Sequence, residues 1–141
     1  MLLTGVITSV APSVYAQKSI TDIEREEIII FSRQGDAQLN QAIPRLETLF
    51  DKTHDAKVRD DLIALYLKVN KSDKALSLCQ NCKLTQFSQN ELENLGKAAR
   101  NEKQYNQALT FYLQLQKLYP KNPNGWLGAA LAATENKNYD V

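Results

Sequence analysis

One histidine and two cysteines in 141 residues leave this chain short of the side chains that build metal centres and thiol chemistry. A zinc site needs four ligands, and beyond Cys79 and Cys82 only His54 is on offer, with no second CxxC pair. Five glycines and four prolines are too few for long disordered linkers. A charge bias is missing too, since 17 basic and 16 acidic residues are interspersed. That balance provides no electrostatic footprint for nucleic acid and none for an anionic membrane face. No Gly-rich phosphate loop, nucleophile elbow or paired-carboxylate cleft can be found. The expectation is therefore a non-enzyme with no catalytic, cofactor-binding or metal-binding residues. What the chain does have is a 43% hydrophobic content, enough for a packed core, and the length of one ordinary domain.

The first sixteen residues, MLLTGVITSVAPSVYA, contain no charge and end in Val14-Tyr15-Ala16. Val14, three before a cut, and Ala16, just before it, match signal-peptidase cleavage, and the apolar run is too short to span a bilayer as a mature helix. Residues 1–16 are expected to be a secretory signal cut after Ala16. It lacks a basic leading region, because the first lysine is Lys18, so a late start or a truncation is implied; a frayed apolar terminus is the alternative. Residues 17–141 are expected to form one helical domain.

Helical patterning runs through the rest. Thr21 or Asp22 can cap a helix reaching about Gln34 and ended by Gly35. Its Ile28-Ile29-Ile30-Phe31 run favours a strand on local propensity. The acidic first turns, with Glu24, Glu26 and Glu27, favour a buried helix instead. A second helix is expected over about 40–52, with Pro44 in its first turn or bending it. A third follows over about 56–69. After a turn at Asn70-Lys71-Ser72-Asp73, a fourth covers 74–82, with Ser72 or Asp73 as its cap and Ala75, Leu76, Leu78, Cys79 and Cys82 on its apolar positions. A polar bridge near Thr85 and Ser88 leads to residues 89–122.

That last stretch reads as two helices packed closely. Gly96, Ala99 and Ala108 leave room for close backbone approach, and Leu92, Leu95, Leu109, Tyr112, Leu115 and Leu118 fill the space beside them. Pro120 stops the second helix. Leu92, Leu95-Gly96, Ala99, Ala108, Tyr112 and Pro120 occupy the places of one tetratricopeptide repeat. Ala42, Ala75 and Ala108 recur at steps of 33, and Tyr105 and Tyr139 at 34. A period near 34 residues belongs to such repeats. The fold expected is all-α, a right-handed TPR-like α-solenoid of antiparallel helix pairs with about three and a half repeats. Trp126, Ala129, Ala130 and Ala133 are expected in the places of Leu92, Leu95, Gly96 and Ala99. Residues 136–140 then read as a turn before a second helix that Val141 would begin. Without a polar capping helix the chain reads as a fragment, incomplete at its C-terminal end.

Two features could carry chemistry. Cys79 and Cys82 read as two small apolar residues on one helix face, as a disulfide, or more remotely as a thiol oxidoreductase pair; the last lacks the βαβ setting such motifs use. The first helix of each unit should line a concave groove, and its candidate residues are Lys57, Asp60, Ala64 and Leu67, then Asn90, Glu93, Lys97 and Arg100. Asn124, Leu127, Leu131 and Thr134 would follow. Lys97 and Arg100, one turn apart, can grip a carboxylate or a polar chain. A solvated helix face is the alternative for each.

The order of signal, Ile-rich helix, glycine turn and degenerate repeats resembles the N-terminal periplasmic region of the poly-β-1,6-N-acetyl-D-glucosamine export porins of Gram-negative biofilm formers. The likeness runs from about Glu26 to Asp140. Ile28-Ile29-Ile30-Phe31-Ser32-Arg33-Gln34-Gly35, then Gln107-Ala108-Leu109-Thr110-Phe111-Tyr112, and Tyr139-Asp140 carry it. The resemblance implies a periplasmic TPR scaffold at the outer membrane, followed in the family by a β-barrel that this chain does not contain. It implies docking of a polysaccharide deacetylase, of the passing polysaccharide, or of both. A generic TPR adaptor for a protein partner is the rival expectation. Neither involves nucleic acid, a cofactor or a membrane span within this chain.

Overall fold

The structure, a computed structural model, describes residues 17–139; the expected signal at 1–16 lies outside the described residues, as do Asp140 and Val141. Among the described residues there are seven α-helices and no strand. They are α1 (Ile20–Ser32), α2 (Asp36–Thr53), α3 (Ala56–Lys68), α4 (Ser72–Leu78), α5 (Gln89–Asn101), α6 (Tyr105–Leu118) and α7 (Pro123–Tyr139). A short 3-10 turn, Leu84–Gln86, precedes α5. The chain divides into two compact units, Met1–His54 and Asp55–Val141.

Local chemistry explains where the helices start. Four of them, α1, α3, α5 and α7, follow a side chain that caps free backbone N–H groups. Ser19 Oγ accepts from Asp22 N at 3.0 Å, Asp55 Oδ1 from Lys57 N at 2.8 Å, and Asn122 Oδ1 from Asn124 N at 2.9 Å. Ser88 and Glu91 close a reciprocal capping box at α5. The other three, α2, α4 and α6, begin after Gly35, Lys71 and Gln104 with no side-chain cap. The tight turns before α4 and α6 stand in for it, and they share one design. Asn70 and Lys103 take left-handed backbones, at φ 61° and 59°. Lys71 N then donates to Tyr66 O, and Gln104 N to Ala99 O, each at 2.8 Å. Every donor and acceptor of the second turn stands 33 positions after its counterpart in the first.

The first unit packs α1 on α2. Ile28, Ala42, Ile43, Leu46 and Leu49 are its buried apolar side chains, and Arg45 lies over the Phe31 ring, 5.1 Å from its centroid. The Ile28–Phe31 run is helical, as its acidic leader favoured. In the second unit α5 packs on α6 and α6 on α7. Leu92, Leu95, Phe111, Tyr112 and Leu115 are buried almost completely. Each such side chain removed from water contributes roughly 1.5–3 kcal/mol before chain entropy is subtracted. Ala42, Ala75 and Ala108 are all fully buried, at 0% exposure.

Several boundaries differ from expectation. Ser19, not Thr21 or Asp22, caps α1, and Ser32 ends it before Gly35. The α2 helix starts at Asp36, so Pro44 is interior; its missing N–H gives up one helical hydrogen bond there. Neither Ser72 nor Asp73 caps α4, which begins at Ser72 itself and stops at Leu78 instead of running through Cys82. The span 136–139 belongs to α7 and is no turn, so Tyr139 ends this helix where it was expected to lead into another. Trp126 is 57% exposed and does not take the place of buried Leu92. Gly125, Gly128 and Ala132 are the buried positions of α7, and they stand 33 residues after Leu92, Leu95 and Ala99.

Candidate functional site

The geometry of the second unit turns on Tyr112. Its ring lies between Gly96 of α5 and Gly128 of α7. A methyl group added to Gly96 would sit 2.6 Å from Tyr112 Cζ, and one on Gly128 would overlap the ring outright. Two helices can therefore close on an aromatic side chain of the helix between them because neither presents a side chain of its own there.

With α5 and α7 so placed, polar side chains link them at three heights. Asn122 Nδ2 donates to Gln89 Oε1 at 3.0 Å, and Asn124 Nδ2 donates to Glu93 Oε1 at 2.8 Å. Farther along, Arg100 Nε donates to Glu135 Oε1 at 3.0 Å, and Nη2 donates to the same oxygen. The partners ascend both helices in the same order, so α5 and α7 run in the same direction. Between the rungs lies a cavity of ≈ 270 Å³, lined by Glu93, Lys97, Arg100 and Tyr112 and, from α7, by Asn124, Leu127, Gly128 and Leu131. Its wall is thus charged and amide-bearing on one side and apolar on the other. Leu127 and Leu131 are 58% and 39% exposed.

The electrostatics follow from this packing. The hydrogen bond to the Glu135 carboxylate raises the Arg100 pKa, against the lowering effect of burial. Burial raises the Tyr112 hydroxyl above the ordinary tyrosine value, and the Arg100 guanidinium opposes that shift. Lys97 contacts Glu93 at 3.7 Å, and its side chain is 60% exposed.

Of the expected groove residues, Glu93, Lys97 and Arg100 come together on this cavity. Asn124, Leu127 and Leu131 join them, while exposed Thr134 does not line it. Lys57, Asp60 and Asn90 do not line it either. Asp60 instead pairs with its neighbour Arg59 at 3.2 Å, and Asn90 lies exposed in the first turn of α5. The carboxylate that Arg100 holds is internal, Glu135. Sequence reasoning passed over Gly128 and Glu135; Gly128 stands 33 positions after Leu95, which was singled out, and Glu135 stands 35 after Arg100.

Cys79 and Cys82 form a disulfide, their Cα atoms 4.9 Å apart, in the bend after α4. His54 has a left-handed backbone, φ 52°, at the end of α2, its ring centroid 5.7 Å from that of Phe50. Among the described residues no three His, Cys, Asp or Glu side chains gather as a metal-ligand group. Nor is any helix among them long and apolar enough to cross a membrane. A scan against protein-family models matches none, and no curated protein matches the chain in sequence.

Proposed function

We propose that the chain is a docking scaffold and not an enzyme, built as a right-handed tetratricopeptide solenoid. The observation that carries this reading is the recurrence at 33 residues of one turn design and one buried alanine. Such units bury their apolar faces against neighbours and leave an extended surface for binding. The alternation of capped and uncapped helix starts supports the same reading.

More particularly, we read the chain as the periplasmic scaffold of an outer-membrane poly-N-acetylglucosamine export porin. The resemblance carried by the Ile28 to Gly35 and Gln107 to Tyr112 stretches supports this, as does the chemistry of the α5–α7 cavity. A glycan chain offers many hydroxyl and amide groups and one apolar ring face. Glu93, Asn124 and Lys97 can exchange hydrogen bonds with the former, and Leu127 and Leu131 can cover the latter. Because Glu93 and Asn124 already hold each other in place, little ordering entropy is spent on those two groups in binding. A deacetylase partner would dock on the same scaffold. The exposed leucines favour a second reading, an adaptor that takes an apolar side chain of a partner peptide.

Titration of the full chain with β-1,6-linked N-acetylglucosamine oligomers, acetylated or partly deacetylated, followed by amide chemical shifts, tests the porin reading. Shifts should cluster at Lys97, Arg100 and Asn124, and Lys97→Ala should weaken binding roughly tenfold, the value of one charge-assisted hydrogen bond. Oligomers that leave those amides unmoved at saturating concentration would remove the glycan role. A peptide that moves them instead would establish the adaptor.

A further inference from the structure

The sequence between α4 and α5 carries two competing instructions. Ala75, Leu78 and Cys82 lie at helical spacing, which would carry α4 through residue 82. The chain instead leaves the helix at Leu78, and Cys79 has φ −95° and ψ 58°. The Cys79–Cys82 disulfide closes this bend. Cys79 is 2% exposed, whereas Cys82 is only half-buried. The bend is held to the next helix pair through its backbone, as Gln107 Nε2 of α6 donates to Cys79 O at 3.0 Å. Between them lies a second cavity, of ≈ 400 Å³, with both cysteines, Leu84, Gln107 and Phe111 in its wall.

We propose that this disulfide is a redox latch on that cavity. Closed, it stops α4 at Leu78 and leaves the Cys79 carbonyl turned to Gln107. A dithiol reductant opens it. One thiolate of the reductant attacks Cys82 Sγ, the more exposed sulfur, forming a mixed disulfide while the S–S bond breaks. Cys79 leaves as a thiolate and takes up a proton. The second thiolate of the reductant then attacks its own sulfur in the mixed disulfide, closing the reductant's disulfide and releasing Cys82, which is protonated in turn. Two electrons and two protons have passed to the protein. Once free, residues 79–82 follow their helical spacing, the Cys79 carbonyl enters the α4 ladder, and Gln107 loses its acceptor.

The full chain is labelled for NMR, and the backbone of residues 79–87 is compared in glutathione disulfide and in dithiothreitol. Oxidised protein should resist alkylation at both cysteines and show non-helical Cα shifts at 79–82. Reduction should turn those shifts helical, slow amide exchange there by roughly tenfold, and move the Gln107 side-chain amide. Cys82→Ser, which cannot close the bond, should match the reduced wild type in both buffers. Shifts unchanged by reduction would overturn the latch. So would free thiols in the oxidising buffer, or loss of the whole unit's fold on reduction.

Discussion

In the pairs α3–α4 and α5–α6 the fully buried alanine is the fourth residue of the second helix; in α1–α2 it is the seventh. Ala42 still stands 33 positions before Ala75, as Ala75 does before Ala108. The helix of the first pair has grown backwards by about one turn, to Asp36, and taken Pro44 into its interior. The turn before it lacks the left-handed residue that Asn70 and Lys103 supply in the later pairs. The burial of the small residue is thus held fixed while the turn varies. A second contrast goes with this one. The second unit nests a ring between two glycines. The first relies on aliphatic side chains and on Arg45 over Phe31, and it leaves Ile20, Ile23 and Ile30 exposed.

The contrast breaks most severely if the nested ring is removed. Tyr112→Ala should cost about 3–5 kcal/mol in urea unfolding of the second unit, as aromatic truncations in packed cores do. Filling the nest should cost less. Gly128→Ala should destabilise by about 1–3 kcal/mol through overpacking, although Ala is the better helix former by about 1 kcal/mol. The matching change in the first unit, Gly35→Ala, meets only the flexible end of Gln38 on an extended backbone. It should cost less than about 1 kcal/mol.

Electrostatic changes sharpen the comparison with smaller effects. Arg100→Met should cost about 1 kcal/mol, since the Arg100 and Glu135 side chains are 24% and 33% exposed and solvent screens the pair. A double-mutant cycle with Glu135→Gln isolates the coupling. The smallest effect is the pH dependence of Tyr112. A folded-state pKa raised above 10.0 gives stability that is present below pH 10.0 and lost as pH rises through the folded value. Thermal unfolding between neutral and strongly alkaline pH should show a shallower alkaline decline in Tyr112→Phe than in wild type. The first unit, with no tyrosine among its described residues, should be indifferent to this range from that source.

Helix identity and the buried alanines were legible because periodic apolar spacing and small residues report packing directly. Glu93, Lys97 and Arg100 share one cavity with Asn124, Leu127 and Leu131, as helical spacing along α5 and α7 allows. The facing side was harder. In α7 the residues Ala129, Ala130, Ala132 and Ala133 are nearly interchangeable by volume, so a shift of one position between 34 and 33 left no mark on the pattern. Trp126 drew the register to itself as the largest apolar residue, yet it lies at the surface with Nε1 donating to Pro120 O at 3.3 Å. The end of α4 was illegible because apolar spacing extends through Cys82, whereas the chain leaves the helix at Leu78.

The coupling between Gly128 and Tyr112 is the most direct measurement of whether ring nesting builds the α5–α7 face. Unfolding free energies of wild type, Gly128→Ala, Tyr112→Leu and the double variant give it as a thermodynamic cycle. Gly128→Ala should destabilise the wild type and stabilise the Tyr112→Leu background, where no ring remains for the methyl to meet and helix propensity decides the sign. An equal cost in both backgrounds would mean that the glycine serves something other than the ring, and the account of how α5 and α7 are brought together would fail.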